Sequence, residues 1–141
     1  MNFYEVKLST KGDKATILMP YDNKFTFNIS ETNKTLNEEY TDGEIKEVII
    51  GIRSEDIHLS DTARNAFKAK VVLSEILGSE TLIYADFNLD SQTNIRESLS
   101  AVVVKVPGRH IVQNGSIINL TFDKQKIHLF DNEEEKTILK K

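Results

Sequence analysis

Apolar and polar residues alternate with period two along most of the chain. In Phe25-Thr-Phe-Asn-Ile29, residues Phe25, Phe27 and Ile29 share one face and Thr26 and Asn28 the other, as in a strand with one side buried. The same pattern predicts strands over 4–8, 15–19, 48–53, 69–73, 82–87, 101–106 and 117–122. Turn residues separate most of them: Lys11-Gly-Asp13, Asp42-Gly43, Leu77-Gly-Ser79, Pro107-Gly108 and Asn114-Gly115. Many short strands at this spacing predict an all-β protein with little helix, built as a small barrel or as two fused barrels. The helical candidates are short, at 62–67 and within the polar stretch 31–40. Two stretches read as solvated loop and frayed tail: 90–98, DSQTNIRES, and 131–141, DNEEEKTILKK. Within 48–53, Val48, Ile50 and Ile52 face one way and Ile49, Gly51 and Arg53 the other, and Gly51 permits a bulge or a close backbone approach.

Composition narrows the class. A chain of 141 residues with 39% hydrophobic and 28% charged residues fits one soluble globular domain. Its formal charge of −4 opposes a general affinity for nucleic acid or anionic lipid and leaves a local basic face open. The absence of cysteine excludes disulfides, thiolate catalysis and cysteine-zinc sites, and suits a reducing compartment. No apolar run approaches the roughly 20 residues of a membrane-spanning helix, and MNFYEVKL lacks the apolar core of a signal peptide, so a cytosolic protein is expected. Without such a signal, the glycosylation-like triplets at Asn28, Asn33 and Asn119 are chance matches.

The chemistry of enzymes is hard to find. Gly12-Asp-Lys14 is no phosphate-cradling loop, since it lacks the flanking glycine and the Lys-Ser/Thr pair that such a loop needs. His58, His110 and His128 stand apart in sequence and offer no metal set. Glu55-Asp56 sits at a strand end, where it suits a capped turn better than acid/base catalysis, and no Gly-x-Ser-x-Gly elbow occurs. Phe3, Tyr4, Phe25, Phe27, Tyr84 and Phe87 lie on alternating strands without interleaved cations, a pattern of core packing rather than of base-stacking platforms. No catalytic residue, cofactor, metal or nucleic-acid partner is implied.

The segment 48–61, VIIGIRSEDIHLSD, takes the reading further. Gly51-Ile-Arg-Ser-Glu-Asp56 resembles the Gly-Ile/Val-Arg-Pro-Glu-Asp/His strand and turn of one family: the carboxy-terminal regulatory domains of ATP-binding subunits from maltose-type and sn-glycerol-phosphate-type sugar ABC importers. Val71-Val72 with Ser74-Glu-Ile-Leu-Gly-Ser-Glu-Thr81, Val106-Pro-Gly-Arg109, and Phe122-Asp123 with His128-Leu-Phe-Asp131 resemble the family's later motifs, in the same order. Met1-Asn2-Phe3 looks like the junction with an ATPase domain. Ser54 departs from the usual proline, and 90–98 looks like an insertion. The resemblance implies an OB-fold-like TOBE barrel, with 1–45 as first strands and connection, 46–131 as the signature-bearing barrel and 132–141 as a flexible tail. It further implies a non-catalytic regulatory and dimerisation domain supporting ATP-driven carbohydrate import, cytoplasmic and peripheral to the inner face of the cell membrane. Its expected partners are a second copy, the ATPase domain of its own subunit, membrane importer subunits at one remove, and a cytosolic regulator. By the same resemblance Phe130 falls at the dimer contact, and Gly51 and Glu75 face regulators. An alternative stays open: Thr62-Ala-Arg-Asn65 resembles the Ser-Ala-Arg-Asn turn of molybdate-binding domains, which would make Thr62, Arg64 and Asn65 an oxyanion nest.

Overall fold

The structure, a computed structural model, describes residues 2–19, 21, 23–32, 35–36, 45–90, 100–131 and 139–140. Its strands are β1 (Asn2–Lys11), β2 (Lys14–Met19), β3 (Asn23–Asn28), β4 (Thr35–Leu36), β5 (Lys46–Ile52), β6 (Ile57–Ser60), β7 (Phe67–Leu77), β8 (Glu80–Asp86), β9 (Ala101–Pro107), β10 (Ile117–Phe122), β11 (His128–Asp131) and β12 (Leu139–Lys140). They form two five-stranded sheets, ordered β11-β5-β1-β2-β3 and β6-β10-β7-β8-β9, with β12-β4 as a small third. Every pairing is antiparallel. The second sheet curls until its edge strands β6 and β9 touch. The all-β, OB-like expectation therefore holds.

Alternation produces this architecture directly. Tyr4, Val6 and Leu8 of β1, Ala15, Ile17 and Met19 of β2, and Val48, Ile50 and Ile52 of β5 are buried, while the residues between them face outward. One core joins both sheets, and burying each large side chain in it contributes about 1.5–3 kcal/mol. Phenylalanines hold its centre: Phe67 stacks on Phe122 at 4.5 Å between ring centroids and lies 5.3 Å from Phe25 and 6.0 Å from Phe87. The β1–β2 and β7–β8 hairpins close on two-residue turns whose first residues, Gly12 (φ 61°) and Gly78 (φ 66°), take the left-handed conformation such turns require.

Asparagine side chains tie the sheets together at their edges. Asn2, on β1, accepts from the Val103 N–H at 3.1 Å and donates to the Val103 carbonyl at 3.2 Å, so its amide acts as one rung against edge strand β9. Asn65, in the β6–β7 loop, does the same for edge strand β3: its Oδ1 accepts from Thr26 N–H and its Nδ2 donates to Thr26 O, both at 3.0 Å. Asn23 adds a bond from Lys68 N–H to its Oδ1 at 3.0 Å. Paired in this way, the edge strands present fewer free backbone groups to other chains.

Several expectations need correction. The segment 62–67 is no helix but a series of bends and a turn leading into β7. Ser60 Oγ donates to Thr62 O at 2.9 Å, Thr62 Oγ1 accepts from Arg64 N–H at 3.0 Å, and Asn65 sits at φ 52°; such local side-chain bonds compete with helix formation. Within 31–40, Glu31 and Thr32 end a 3-10 turn that begins at Ile29, and Thr35–Leu36 is strand; the rest of that candidate, with Asp42-Gly43, lies outside the described residues. Gly51 makes no bulge, since β5 pairs in unbroken register on both sides; the register shift falls between Val71 and Leu73. Phe3 is 57% exposed rather than core, because Tyr4, the next residue, takes the inward position. Of the loop and tail segments 90–98 and 131–141, residues 91–98, 132–138 and 141 lie outside the described residues, while Leu139–Lys140 pairs with Thr35–Leu36.

Candidate functional site

The outward face of the first sheet carries an aromatic patch. Phe3, Gly51 and His128 are aligned across β1, β5 and β11, and the adjoining row is Glu5, Ile49 and Phe130. The Phe3 and Phe130 rings lie 6.2 Å apart, and the Phe130 ring stacks along His128 at 6.3 Å. Ile49, His128 and Phe130 are half-buried. Gly51, itself buried, stands in register between Phe3 and His128 and adds no side chain to the face. The fold thus brings Phe130 and Gly51 to one patch and adds Phe3. That addition was open to sequence reasoning, since only one of the adjacent residues Phe3 and Tyr4 can face the core of a strand. Glu75 is elsewhere: it is exposed on β7 of the second sheet, paired with Leu82.

In the Thr62-Ala-Arg-Asn65 turn several polar groups already have partners. Thr62 N–H donates to Ser60 Oγ at 3.3 Å, Arg64 N–H donates to Thr62 Oγ1, and the Asn65 amide is spent on Thr26. An anion-binding nest needs convergent free N–H groups, and the N–H groups of Thr62 and Arg64 already have side-chain partners. Beside it opens a cleft of about 390 Å³ lined by Tyr21, Lys24, Asn65, Lys68 and Phe87 among others. Among the lining residues Asn65 alone comes from the proposed nest; Thr62 and Arg64 do not reach the cleft.

A buried polar group that the sequence did not announce joins β1 to the β8–β9 connection. Tyr4 OH donates to Ala101 O at 2.7 Å, and Ser100 Oγ donates to Asp86 Oδ1 at 2.6 Å, with Asn88 N–H donating to the same oxygen at 2.9 Å. Burial, and after it the nearby Asp86 carboxylate, push the Tyr4 phenol well above the usual tyrosine range. These groups fix the ends of the 87–100 connection and face no cleft described above. Among the described residues no three His, Cys, Asp or Glu side chains converge as a metal set.

Comparison with known proteins falls on the same segment as the sequence motifs. The TOBE domain family (TOBE_2) matches residues 50–130. The oligosaccharides import ATP-binding protein MsmX of Bacillus subtilis is 36% identical over 95 residues, covering 64% of this chain and 23% of the relative. The sn-glycerol-3-phosphate import ATP-binding protein UgpC of Psychromonas ingrahamii is 28% identical over 139 residues, 98% of this chain and 32% of the relative. The alpha-glucoside transport ATP-binding protein AglK of Rhizobium meliloti is 25% identical over 135 residues, 93% of this chain and 32% of the relative. The chain therefore spans between 23% and 32% of the length of these relatives. Among solved structures, the cytoplasmic molybdate-binding protein ModG, with molybdate bound, superimposes with a TM-score of 0.61 over 91% of this chain and 94% of that one; at 14% identity the likeness is one of fold. With the family matched across more than half of its length, at the strands that carry the Gly51, Glu75 and Phe130 motifs, this chain belongs to the TOBE domain family.

Proposed function

We propose that the chain is the non-catalytic regulatory and dimerisation domain of an ATP-binding subunit in a sugar ABC importer. The observation that carries this reading is the alignment of import ATP-binding proteins over as much as 98% of the chain. The domain works in the cytoplasm, held at the inner face of the membrane through the importer, and its own residues do no chemistry. Its contribution is mechanical: two copies that stay paired keep their ATPase domains at high effective concentration while those domains open and close. The Phe3–Phe130 patch supports a pairing role, as an aromatic cluster on the outward face of a sheet suits an isologous contact. Regulators meet the domain at Gly51, beside that patch, and at Glu75 on the other sheet. An oxyanion-binding role is less well supported, since the N–H groups of Thr62 and Arg64 and the Asn65 amide already have partners in the turn that would form the nest. Uptake tests the importer reading: source cells lacking residues 1–141 should lose uptake of at least one sugar in a panel of labelled oligosaccharides and glycerol phosphates, and regain it on restoration. Unchanged uptake across the panel would overturn it.

A further inference from the structure

The first sheet divides its outward face by charge. Beyond the aromatic patch, the outward positions are Lys7, Ser9 and Lys11 on β1, Lys14, Thr16 and Leu18 on β2, and Lys24, Thr26 and Asn28 on β3. No carboxylate is among them, in a chain whose formal charge is −4. The hairpin's own Asp13 is engaged by Ser30, whose N–H and Oγ donate to its two oxygens at 2.9 and 2.6 Å. Glu5 and Glu47 lie on the flank toward the aromatic patch, with Glu47 in register with Lys7. Neither Lys7 nor Lys24 forms an ion pair among the described residues. Between them runs a groove of about 280 Å³ lined by Lys7, Ser9, Thr16, Leu18, Lys24 and Ile45, with Leu18 44% and Ile45 70% exposed.

Lys7, Leu18 and Lys24 are successive partners across β1, β2 and β3. At a strand spacing of about 4.8 Å, the lysines stand roughly 10 Å apart. An extended peptide rises about 3.3 Å per residue and turns every second side chain to the same face, so carboxylates four positions apart flank one same-face residue and stand about 13 Å apart, within reach of two long lysine side chains that splay outward. We propose that this groove docks an extended acidic segment of a partner protein, with two such carboxylates meeting Lys7 and Lys24 and an aliphatic side chain between them packed on Leu18 and Ile45. Charge complementarity selects the occupant, and the recess selects its shape. A membrane surface would be met by protruding apolar anchors rather than by a hollow between lysines. Single-stranded nucleic acid would need stacking aromatics, and the groove's lining has none. The proposal does not depend on the importer reading.

Selection from a random heptapeptide display library on the chain tests it. Peptides with Asp or Glu four positions apart and an aliphatic residue midway between them should be enriched. A synthetic peptide of the enriched sequence should lose at least about tenfold in affinity with Lys7→Glu plus Lys24→Glu, weaken with Leu18→Ser, and bind more weakly as salt rises. The substituted lysines are exposed, so thermal unfolding of the double variant should match the parent. Absence of acidic enrichment, or an acidic peptide that binds the double variant as tightly as the parent, would overturn the proposal. Cosedimentation with phosphatidylserine vesicles, lost in the double variant while no acidic peptide is selected, would also overturn it and give the face to a membrane.

Discussion

Asn65 holds a left-handed backbone conformation, φ 52°, and spends its whole side-chain amide on the backbone of Thr26. These two contributions separate by substitution. Asn65→Gly keeps the conformation and loses the amide, and should cost about 1 kcal/mol for two exposed hydrogen bonds. Asn65→Ala should cost about 1 kcal/mol more, because a Cβ is disfavoured at positive φ. Urea unfolding of both variants measures the difference, and equal midpoints would show that the turn relaxes to accept alanine. Tyr4 gives a second test at this scale. Its phenol is buried and held protonated in the fold, whereas in the unfolded chain it ionises near pH 10, its ordinary value. Below that pH both states keep the proton and the stability is intact. As pH rises past about 10, the unfolded state loses a proton that the folded state retains, and stability should fall by up to about 1.4 kcal/mol per pH unit. Tyr4→Phe removes this dependence along with the bond to Ala101, so its stability should decline less between pH 9.5 and roughly 11 than the parent's. Parallel declines would mean that the phenol is solvated.

Long strands were legible because alternation over five or more residues has one physical cause, a sheet with one face in the core. Phe25 and Phe27, or Val48, Ile50 and Ile52, announce their burial in this way. The short edge strands β6 and β11 offer four residues each, too few for alternation to stand out, so Phe130 was found through its motif and not through periodicity. Pairings between strands distant in sequence were not legible: β1 lies against β5, some 40 residues away, and Asn2 reaches Val103, separated by 101 positions. Local pattern carries no record of such contacts. The 62–67 segment misled for a related reason, since Thr62, Ala63 and Arg64 tolerate a helix while the bonds from Ser60 and to Thr26 decide otherwise. Packing of the elements predicts one strong effect. Phe67, on β7, is fully buried and touches rings from β3 and β10 and Phe87 beyond β8. Phe67→Ala should cost about 3–5 kcal/mol, a drop of roughly 10–17 °C in Tm for a chain of this size, measured by circular dichroism. A loss under about 1 kcal/mol would mean that the core collapses around the gap.

At the scale of the molecule, the first sheet presents aromatics at its β11 side and lysines at its β3 side, while the second sheet carries Glu75. If two chains pair isologously through the aromatic side, each copy of Phe130 contributes once, and one substitution removes the contact twice. Truncating an interface aromatic costs about 2 kcal/mol or more per side, and at about 1.4 kcal/mol per tenfold the dimer should weaken by roughly a thousandfold. Phe3→Ala should act in the same direction, since Phe3 is more exposed than Phe130 and its ring lies 6.2 Å from it. Glu75→Lys, on the other sheet, should leave pairing unchanged. Sedimentation across a concentration series, with circular dichroism confirming that each variant is folded, measures all three. A parent that dimerises while both phenylalanine variants dimerise equally well places the contact on another face; a parent that stays monomeric at every concentration removes the pairing role from the isolated chain and assigns it to segments beyond these residues.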